Sequence, residues 1–375
     1  MEFSAKKSDL LKELDLAQGV VEKKATIPIL SNILLEAEEG MVRLSATDLE
    51  LGVNSTCIAK VKKTGAATVP ARRLVDIVRS LPDAEVRIKM LENNWVQLTC
   101  ERSSFKLVGM ARDNFPALPP VPEALASVPG TALATLIRRT AFAVSGEESR
   151  YTLSGALLLL KPDTAAMVAT DGHRLALVER DVKVEGVSNE LRLLVPRKAM
   201  SELEKMLSEA KEGSGDETVV KISKDESHLF FSVGGRTLIS RLLTGQFPNY
   251  EAVLPKETPR LAELDREAFT SAIRRVALLA DERSHAIRLQ LDKGRLELFS
   301  TSGEYGEAHE TLDVDYDGEA MEIGFNHQYL LDFLGVLGEG GKVRLELQDE
   351  QSAGQLRPLG DDPYRYRYVV MPMRI

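Results

Sequence analysis

Cysteine is almost missing from this chain. Cys57 and Cys100 are the only two in 375 residues. They form no disulfide framework and no metal-ligand spacing, and a reducing cytoplasm is the expected location. No stretch reaches the ~18 consecutive apolar residues of a membrane span. Residues 1–7 lack the apolar core of a signal peptide, so no membrane partner is expected. Aromatic residues make up 5% of the chain. None interleave with basic residues as a stacking platform for single-stranded bases would. His173, His228, His285, His309 and His327 show no HExxH spacing for zinc. Val233-Gly234-Gly235-Arg236 lacks the P-loop pattern and reads as a hairpin turn. No metal and no cofactor are expected. Positive charge is also in deficit: 48 − 57 = −9. That argues against nucleic-acid binding over the whole surface but leaves room for one basic face.

What the chain does have is repetition. Val69-Pro70-Ala71-Arg72-Arg73 and Val195-Pro196-Arg197-Lys198-Ala199 are 195 − 69 = 126 residues apart. Ile323-Gly324-Phe325-Asn326 follows at 323 − 195 = 128. Ala46-Thr47-Asp48-Leu49, Ala169-Thr170-Asp171-Gly172 and Ser300-Thr301-Ser302-Gly303 keep steps of 170 − 47 = 123 and 301 − 170 = 131. Phe115-Pro116 and Phe247-Pro248 add a step of 132. The period is domain-sized, far beyond the ~20–50 residues of a solenoid repeat. Three copies of one domain are expected, over 1–122, 123–255 and 256–375, with proline-rich links at 116–122 and 255–259.

Each copy opens with a helical pattern. Leu133, Leu136, Ile137, Thr140, Ala141 and Val144 share one face, as do Phe269, Ala272, Ile273, Val276, Ala277 and Ala280. Strands split by turns follow, as at Glu38-Glu39-Gly40 and Asp292-Lys293-Gly294, then a second helix and more strands. Helix-then-strands occurs twice per copy, which suggests a doubled motif. The expected class is α+β with helices to one side of the sheets.

Basic residues recur at equivalent helical positions. Arg138 and Arg139 lie about 140° and 240° from Leu133 at ~100° per residue, away from the apolar face. Arg274 and Arg275 hold the same offsets from Phe269. The second helices add Arg72, Arg73, Arg197 and Lys198, and Lys23 and Lys24 follow the first helix. In the third copy Asn326 and His327 stand where Arg72 and Arg73 do. A basic lining inside an acidic body suits a duplex passing through without sequence readout, because cations meet phosphates and no base edge need be touched.

The three-fold repeat, Ala169-Thr170-Asp171-Gly172-His173-Arg174-Leu175-Ala176, Phe247-Pro248-Asn249-Tyr250 and the terminal Tyr368-Val369-Val370-Met371-Pro372-Met373-Arg374-Ile375 together resemble the bacterial DNA polymerase III beta subunit family, the sliding clamps. The resemblance spans the whole chain. It implies the DNA clamp fold: a head-to-tail homodimeric ring of six similar domains, helices lining the hole and sheets outside. It implies a non-catalytic processivity factor that encircles double-stranded DNA and tethers its partners. Those are the DNA polymerase III alpha subunit, the clamp loader delta subunit and other clamp-binding-motif proteins. ATP-driven opening would belong to a separate loader.

Carried over by motif, the partner-peptide groove comprises Leu153, Thr170, Gly172, His173, Arg174, Leu175, Pro248, Val253, Val369, Val370, Met371, Pro372, Met373 and Arg374. Its methionines and aliphatics make an adaptable apolar slot, and His173 and Arg174 are placed to hold the polar end of a peptide. The DNA-facing set is Lys24, Arg72, Arg73, Arg138, Arg139, Arg197, Lys198, Arg274 and Arg275. Phe105 and Leu107 of one subunit would meet Leu278 and Leu279 of the other. Two features depart from the family pattern at the groove rim: Ala252, where an arginine can stand, and a longer stretch over 352–366. They keep a second reading open, a specialised duplicate clamp tolerant of a clamp-binding inhibitor. An enzyme centred on Asp171, His173 and Arg174 is disfavoured, since no nucleophile accompanies them and nearness in sequence is not a triad.

Overall fold

The apolar stripes seen in the sequence become helices, and each helix sits between strands. The computed structural model describes residues 1–21, 26–147, 149–211 and 218–374. Among these the chain repeats one motif six times: a strand, a helix, then three strands. The helices are α1 (Lys7–Val20), α2 (Ala71–Ser80), α3 (Gly130–Thr140), α4 (Arg197–Lys211), α5 (Arg266–Ala277) and α6 (His327–Gly335). Each copy is the motif twice over, with one extra strand, Lys60–Lys63, in the first. Leu133, Leu136, Ile137 and Thr140 are buried, as are Phe269, Ala272, Ile273 and Val276, and Leu10, Leu14 and Ala17 of α1. The Gly234-Gly235 turn has φ of +57° and +80°, the two positive values a type I′ hairpin needs and glycine supplies at no steric cost.

The chain divides into two compact units. The first comprises 1–134 and 198–242, the second 135–197 and 243–375. In the first unit an eight-stranded antiparallel sheet runs Ala126–Pro129, Val219–Lys224, His228–Val233, Arg236–Arg241, Leu51–Ile58, Met41–Thr47, Asn32–Glu38, Gly65–Pro70. A five-stranded sheet runs Lys60–Lys63, Glu2–Lys6, Glu85–Met90, Trp95–Cys100, Ser103–Val108. In the second unit an eight-stranded sheet runs Arg260–Asp265, Lys342–Leu347, Gly354–Leu359, Tyr364–Val370, Arg174–Asp181, Thr164–Thr170, Gly155–Lys161, Leu191–Pro196. A four-stranded sheet runs Gly306–Asp313, Arg295–Ser302, Ala286–Asp292, Met321–Asn326. Each eight-stranded sheet is therefore shared by two copies, whose backbones join at one seam. The Phe-Pro landmarks cover these sheets. Phe115 packs with Ile29, Leu30 and Leu34, and Phe247 with Leu157, Val168, Leu175 and Val369.

Two expectations shift. The stretch 352–366 is mostly β-hairpin, strand Gly354–Leu359 leading into Tyr364–Val370, rather than an added loop. Pro70, Pro196 and Asn326 hold the same ladder position, opposite Asn32, Gly155 and Ala286. His327 and Gln328 therefore correspond to Ala71 and Arg72, two residues off the sequence alignment. The uncharged Gln328 stands at the place of Arg72 and Lys198.

The seam of the first unit is pinned by a nearly buried ion cluster. Arg236 makes a two-nitrogen contact with Glu13, at 2.7 and 3.0 Å, and reaches Glu209 at 2.9 Å. Lys198 pairs with the buried Asp48. Removing the cation leaves two desolvated carboxylates facing each other. Arg236→Met should lower the unfolding free energy by about 3–5 kcal/mol in chemical denaturation. A change within the error of the measurement would contradict the cluster's role.

Candidate partner groove and basic surface

The groove begins with a turn. Between Thr164–Thr170 and Arg174–Asp181, Thr170 Oγ1 donates to the Arg174 carbonyl at 2.7 Å and accepts from the Gly172 N–H at 3.1 Å. Asp171 Oδ1 accepts from the His173 and Arg174 N–H groups at 2.9 and 3.0 Å. Gly172 takes φ +93°, a left-handed conformation that suits glycine. The first copy builds the same turn. Thr47 Oγ1 bonds Leu51 and Leu49, and Asp48 Oδ1 accepts from Glu50 and Leu51. The Ala-Thr-Asp landmark is thus a turn signature, and the Asp171 carboxylate is occupied in it rather than set up for catalysis.

Ten of the fourteen predicted groove residues line one cleft of about 140 Å³: Leu153, Thr170, Gly172, His173, Arg174, Leu175, Pro248, Val253, Val369 and Met371. Tyr250, which sequence reasoning passed over, lines it too. The Phe247-Pro248-Asn249-Tyr250 run held the only signal for it. Beneath lies an apolar floor in which Leu157, Ala166, Val168 and Leu194 pack around Leu175 and Val369. Met371 is anchored by its N–H to the His173 carbonyl at 2.9 Å and leaves its side chain 43% exposed at the rim. The other four depart from expectation. Val370 is fully buried on the opposite face of its strand, because strand side chains alternate. Pro372, Met373 and Arg374 border a separate cleft with Glu322, Ile323 and Glu350, since the Met373 N–H bonds the Gly324 carbonyl and draws the tail there.

Arg174 is not free to receive a peptide end. Its guanidinium bonds Asp171 at 3.0 Å, Asp332 at 2.6 Å and the Phe142 carbonyl at 2.6 Å, and lies 4.3 Å over the Tyr329 ring. Burial alone would lower its pKa; Tyr368, Asp332 and Asp171 outweigh that and raise it. It is a fixed cation that ties the turn to α6. The terminal strand explains the setting. Tyr364, Tyr366 and Tyr368 alternate inward while Arg365 and Arg367 alternate outward. Tyr368 stacks on Phe333 at 5.0 Å, and burial pushes the Tyr366 and Tyr368 phenols up in pKa.

The predicted DNA-facing residues separate into groups. Arg72, Arg73, Arg138, Arg197 and Arg274 are exposed and have no ion-pair partner among the described residues. Lys198 and Arg275 are paired, with Asp48 and with Glu310 at 2.6 Å. Lys24 and Lys23 lie outside the described residues. Arg139 is a correction: it is 9% exposed, pairs with Asp362 at 2.7 Å and lies 4.9 Å over the Tyr364 ring. The helical angle gave no hint of this, because its partners come from the terminal hairpin. In the third copy burial, and then the His285 ring beside it, hold the His327 pKa below the ordinary histidine value. That position therefore brings no charge at neutral pH. Of the predicted subunit-contact residues, Phe105, Leu107 and Leu279 are half-buried and Leu278 is 79% exposed.

A doubled motif repeated in three copies, an apolar peptide-sized cleft and separate exposed arginines define a clamp-type scaffold rather than an enzyme. The N-terminal, central and C-terminal domains of the DNA polymerase III beta subunit family match residues 1–119, 127–249 and 251–374. The beta sliding clamp of Pseudomonas putida is 39% identical over the full length of both chains. A crystal structure of the Pseudomonas aeruginosa sliding clamp superposes with a TM-score of 0.90 at 38% identity, covering both chains completely. A Pseudomonas aeruginosa clamp bound to griselimycin superposes at 0.91 and 38% identity, again with complete coverage. The chain belongs to the bacterial DNA polymerase III beta subunit family. It is a DNA sliding clamp with the α+β clamp fold, a non-catalytic processivity subunit whose partners are DNA and the polymerase. Nothing in these similarities favours a specialised duplicate. No helix among the described residues is long and apolar enough to cross a membrane.

Arg138 and Arg139 should therefore behave differently although they are neighbours. Arg139→Ala should cost about 3 kcal/mol in thermal or chemical unfolding, because it strands Asp362 and uncovers two tyrosines. Arg138→Ala should leave stability within ~0.5 kcal/mol. Equal effects on stability would contradict the assignment.

Proposed function

We propose that the cleft around Leu175, Val369 and Met371 is the groove through which this clamp holds its clients: the DNA polymerase III alpha subunit, the clamp loader delta subunit and other proteins carrying a clamp-binding motif. The observation that carries this is the gathering of residues from 153, 170–175, 248–253 and 369–371 around one apolar cleft. Its depth suits one or two aliphatic or aromatic side chains of an extended peptide. The adaptable Met371 at the rim suits varied partners, while the rigid Asp171–Arg174 turn fixes the polar wall.

The chain acts as three domains, 1–122, 123–255 and 256–375, in a head-to-tail homodimer that closes a ring around duplex DNA. Two strands support this. Ser103–Val108 and Gly306–Asp313 each end a sheet, whereas their counterparts in the other copies are paired. Phe105 and Leu107 on the first of these strands, and Leu278 and Leu279 beyond α5, become the apolar contact between subunits. Arg72, Arg73, Arg138, Arg197 and Arg274 face the duplex and meet phosphates without reading bases; Lys198 and Arg275 join them only by leaving their acidic partners. The protein works in the cytoplasm.

The groove is tested by titrating a fluorescent Gln-Leu-x-Leu-Phe-type peptide. Met371→Glu places a charge beside the apolar floor and should weaken binding by at least ~10-fold, with dimer mass unchanged. Unaltered affinity would remove the groove assignment.

A further inference from the structure

The apolar face that floors the groove continues beyond it. Leu175, Leu177 and Glu179 stand on one face of their strand, because side chains two apart point the same way. Val168 and Ala166 share that face on the next strand, and Leu157 and Leu159 on the one after. Leu175 and Val369 line the groove. Further along the same face a second cleft, of about 300 Å³, opens over Leu159, Ala166, Leu177 and Glu179. Tyr250 lines both, so the two clefts adjoin at its side chain. One apolar cluster lies beneath them, with Leu157, Leu159, Ala166, Val168 and Leu175 at its centre and Leu177, Tyr250 and Leu254 packed against it.

The second cleft has a different chemistry at its rim. Glu179, Glu190 and Glu251 stand there against a single lysine, Lys161. Two of the carboxylates are answered. Glu179 accepts from Arg365 at 2.7 Å, and Glu190 from Arg192 at 2.9 Å with Lys161 at 3.2 Å. Glu251 is exposed and has no ion-pair partner among the described residues. It is also the only charge in the covering segment 247–254. Burial, and then the Glu251 charge, raises the Tyr250 phenol pKa, while Arg192 opposes them. The wall between the clefts therefore lies in the field of Glu251.

The first unit holds an internal comparison. The step of 123 residues that relates Thr47 to Thr170 places Glu36, Arg43 and Asn54 at the positions of Leu159, Ala166 and Leu177. A cleft opens over them too, but its floor is polar. Arg112 answers Glu36 at 2.7 Å, and the covering residues Phe115 to Leu118 carry no charge. Only the cleft beside the groove joins an apolar floor to an unanswered carboxylate on its covering segment. That combination fits a long aliphatic stem with a cationic head, since lysine and arginine lay their methylenes on apolar surface and keep the charge at the edge.

Resting on the groove reading above, we propose that a bound client chain continues past Tyr250 and seats a lysine or arginine in this second cleft, its stem on Leu159, Ala166 and Leu177 and its charge at Glu251. From Leu175 to Glu179 the strand advances about 13 Å at ~3.3 Å per residue, so the basic residue lies roughly four places outside the motif. The site thus favours clients whose motif is flanked by positive charge on the side that leaves past Tyr250.

The test is a set of fluorescent Gln-Leu-x-Leu-Phe-type peptides titrated against the full chain. One is plain, one carries two lysines about four residues before the motif, and one carries them about four residues after it. One of the two lysine peptides should bind at least ~3-fold more tightly than the plain peptide, the size expected of one partly screened charge pair. Glu251→Gln should abolish that gain and leave the plain peptide unchanged. Glu339→Gln removes the same charge from another exposed position and should leave the gain intact, which separates the cleft from the acidity of the whole chain. No gain from either lysine peptide, or a gain that survives Glu251→Gln, would overturn the proposal and leave the groove standing. A plain peptide that does not bind would overturn both.

Discussion

The main-chain hydrogen bonds at the seams between copies are the constraint on which the rest of this structure depends. A strand pair fixes its neighbours in register, because a slip of one residue turns every side chain to the wrong face. At the second seam Arg174–Asp181 and Tyr364–Val370 exchange bonds over seven residue pairs. That pairing brings the Thr170–Arg174 turn beside Val369 and Met371, and so makes the groove. It also sets Tyr364, Tyr366 and Tyr368 over α6 and the end of α3, where Arg139 and Arg174 are held. The groove is therefore a by-product of joining two copies, and it is as rigid as the sheet beneath it. The first seam uses the same strands of the repeat but fills its setting with the Glu13–Arg236–Glu209 cluster instead.

Charge is distributed to match. The body is acidic, with 57 acidic against 48 basic residues, yet many of its arginines are committed to carboxylates or tyrosine rings and serve packing. The arginines without partners sit on helices, at positions the repeat reproduces. A duplex needs only such scattered cations, because its phosphates are read for charge and not for sequence.

Much of this was legible in the sequence, and the reasons are physical. A helix advertises its buried face through a local period, so Leu133, Leu136 and Ile137 could be placed without any tertiary knowledge. Turn chemistry is local too, which is why Gly234-Gly235 and the Thr-Asp landmarks were visible. The doubled motif followed from order alone. Arg139 was misread because its partners Asp362 and Tyr364 lie more than two hundred residues away in the chain, and no local period carries that information. Val370 was misplaced for a smaller reason: a motif carried over as a block ignores the alternation of a strand. The third copy's basic position was read two residues off because only the ladder, with Asn326 opposite Ala286, fixes the alignment. The seams themselves were not legible, since strand pairing across copies leaves no periodic mark.

The claim that joins these parts is that two chains close into a ring around DNA. It is tested most directly by loading the protein onto nicked circular duplex with a clamp loader and ATP, then linearising the circle and measuring what stays bound. A topological clamp is retained on the circle and lost once the DNA has ends. Equal retention on circular and cut DNA would contradict the account, because it would mean that the exposed arginines hold the duplex as an ordinary binding surface.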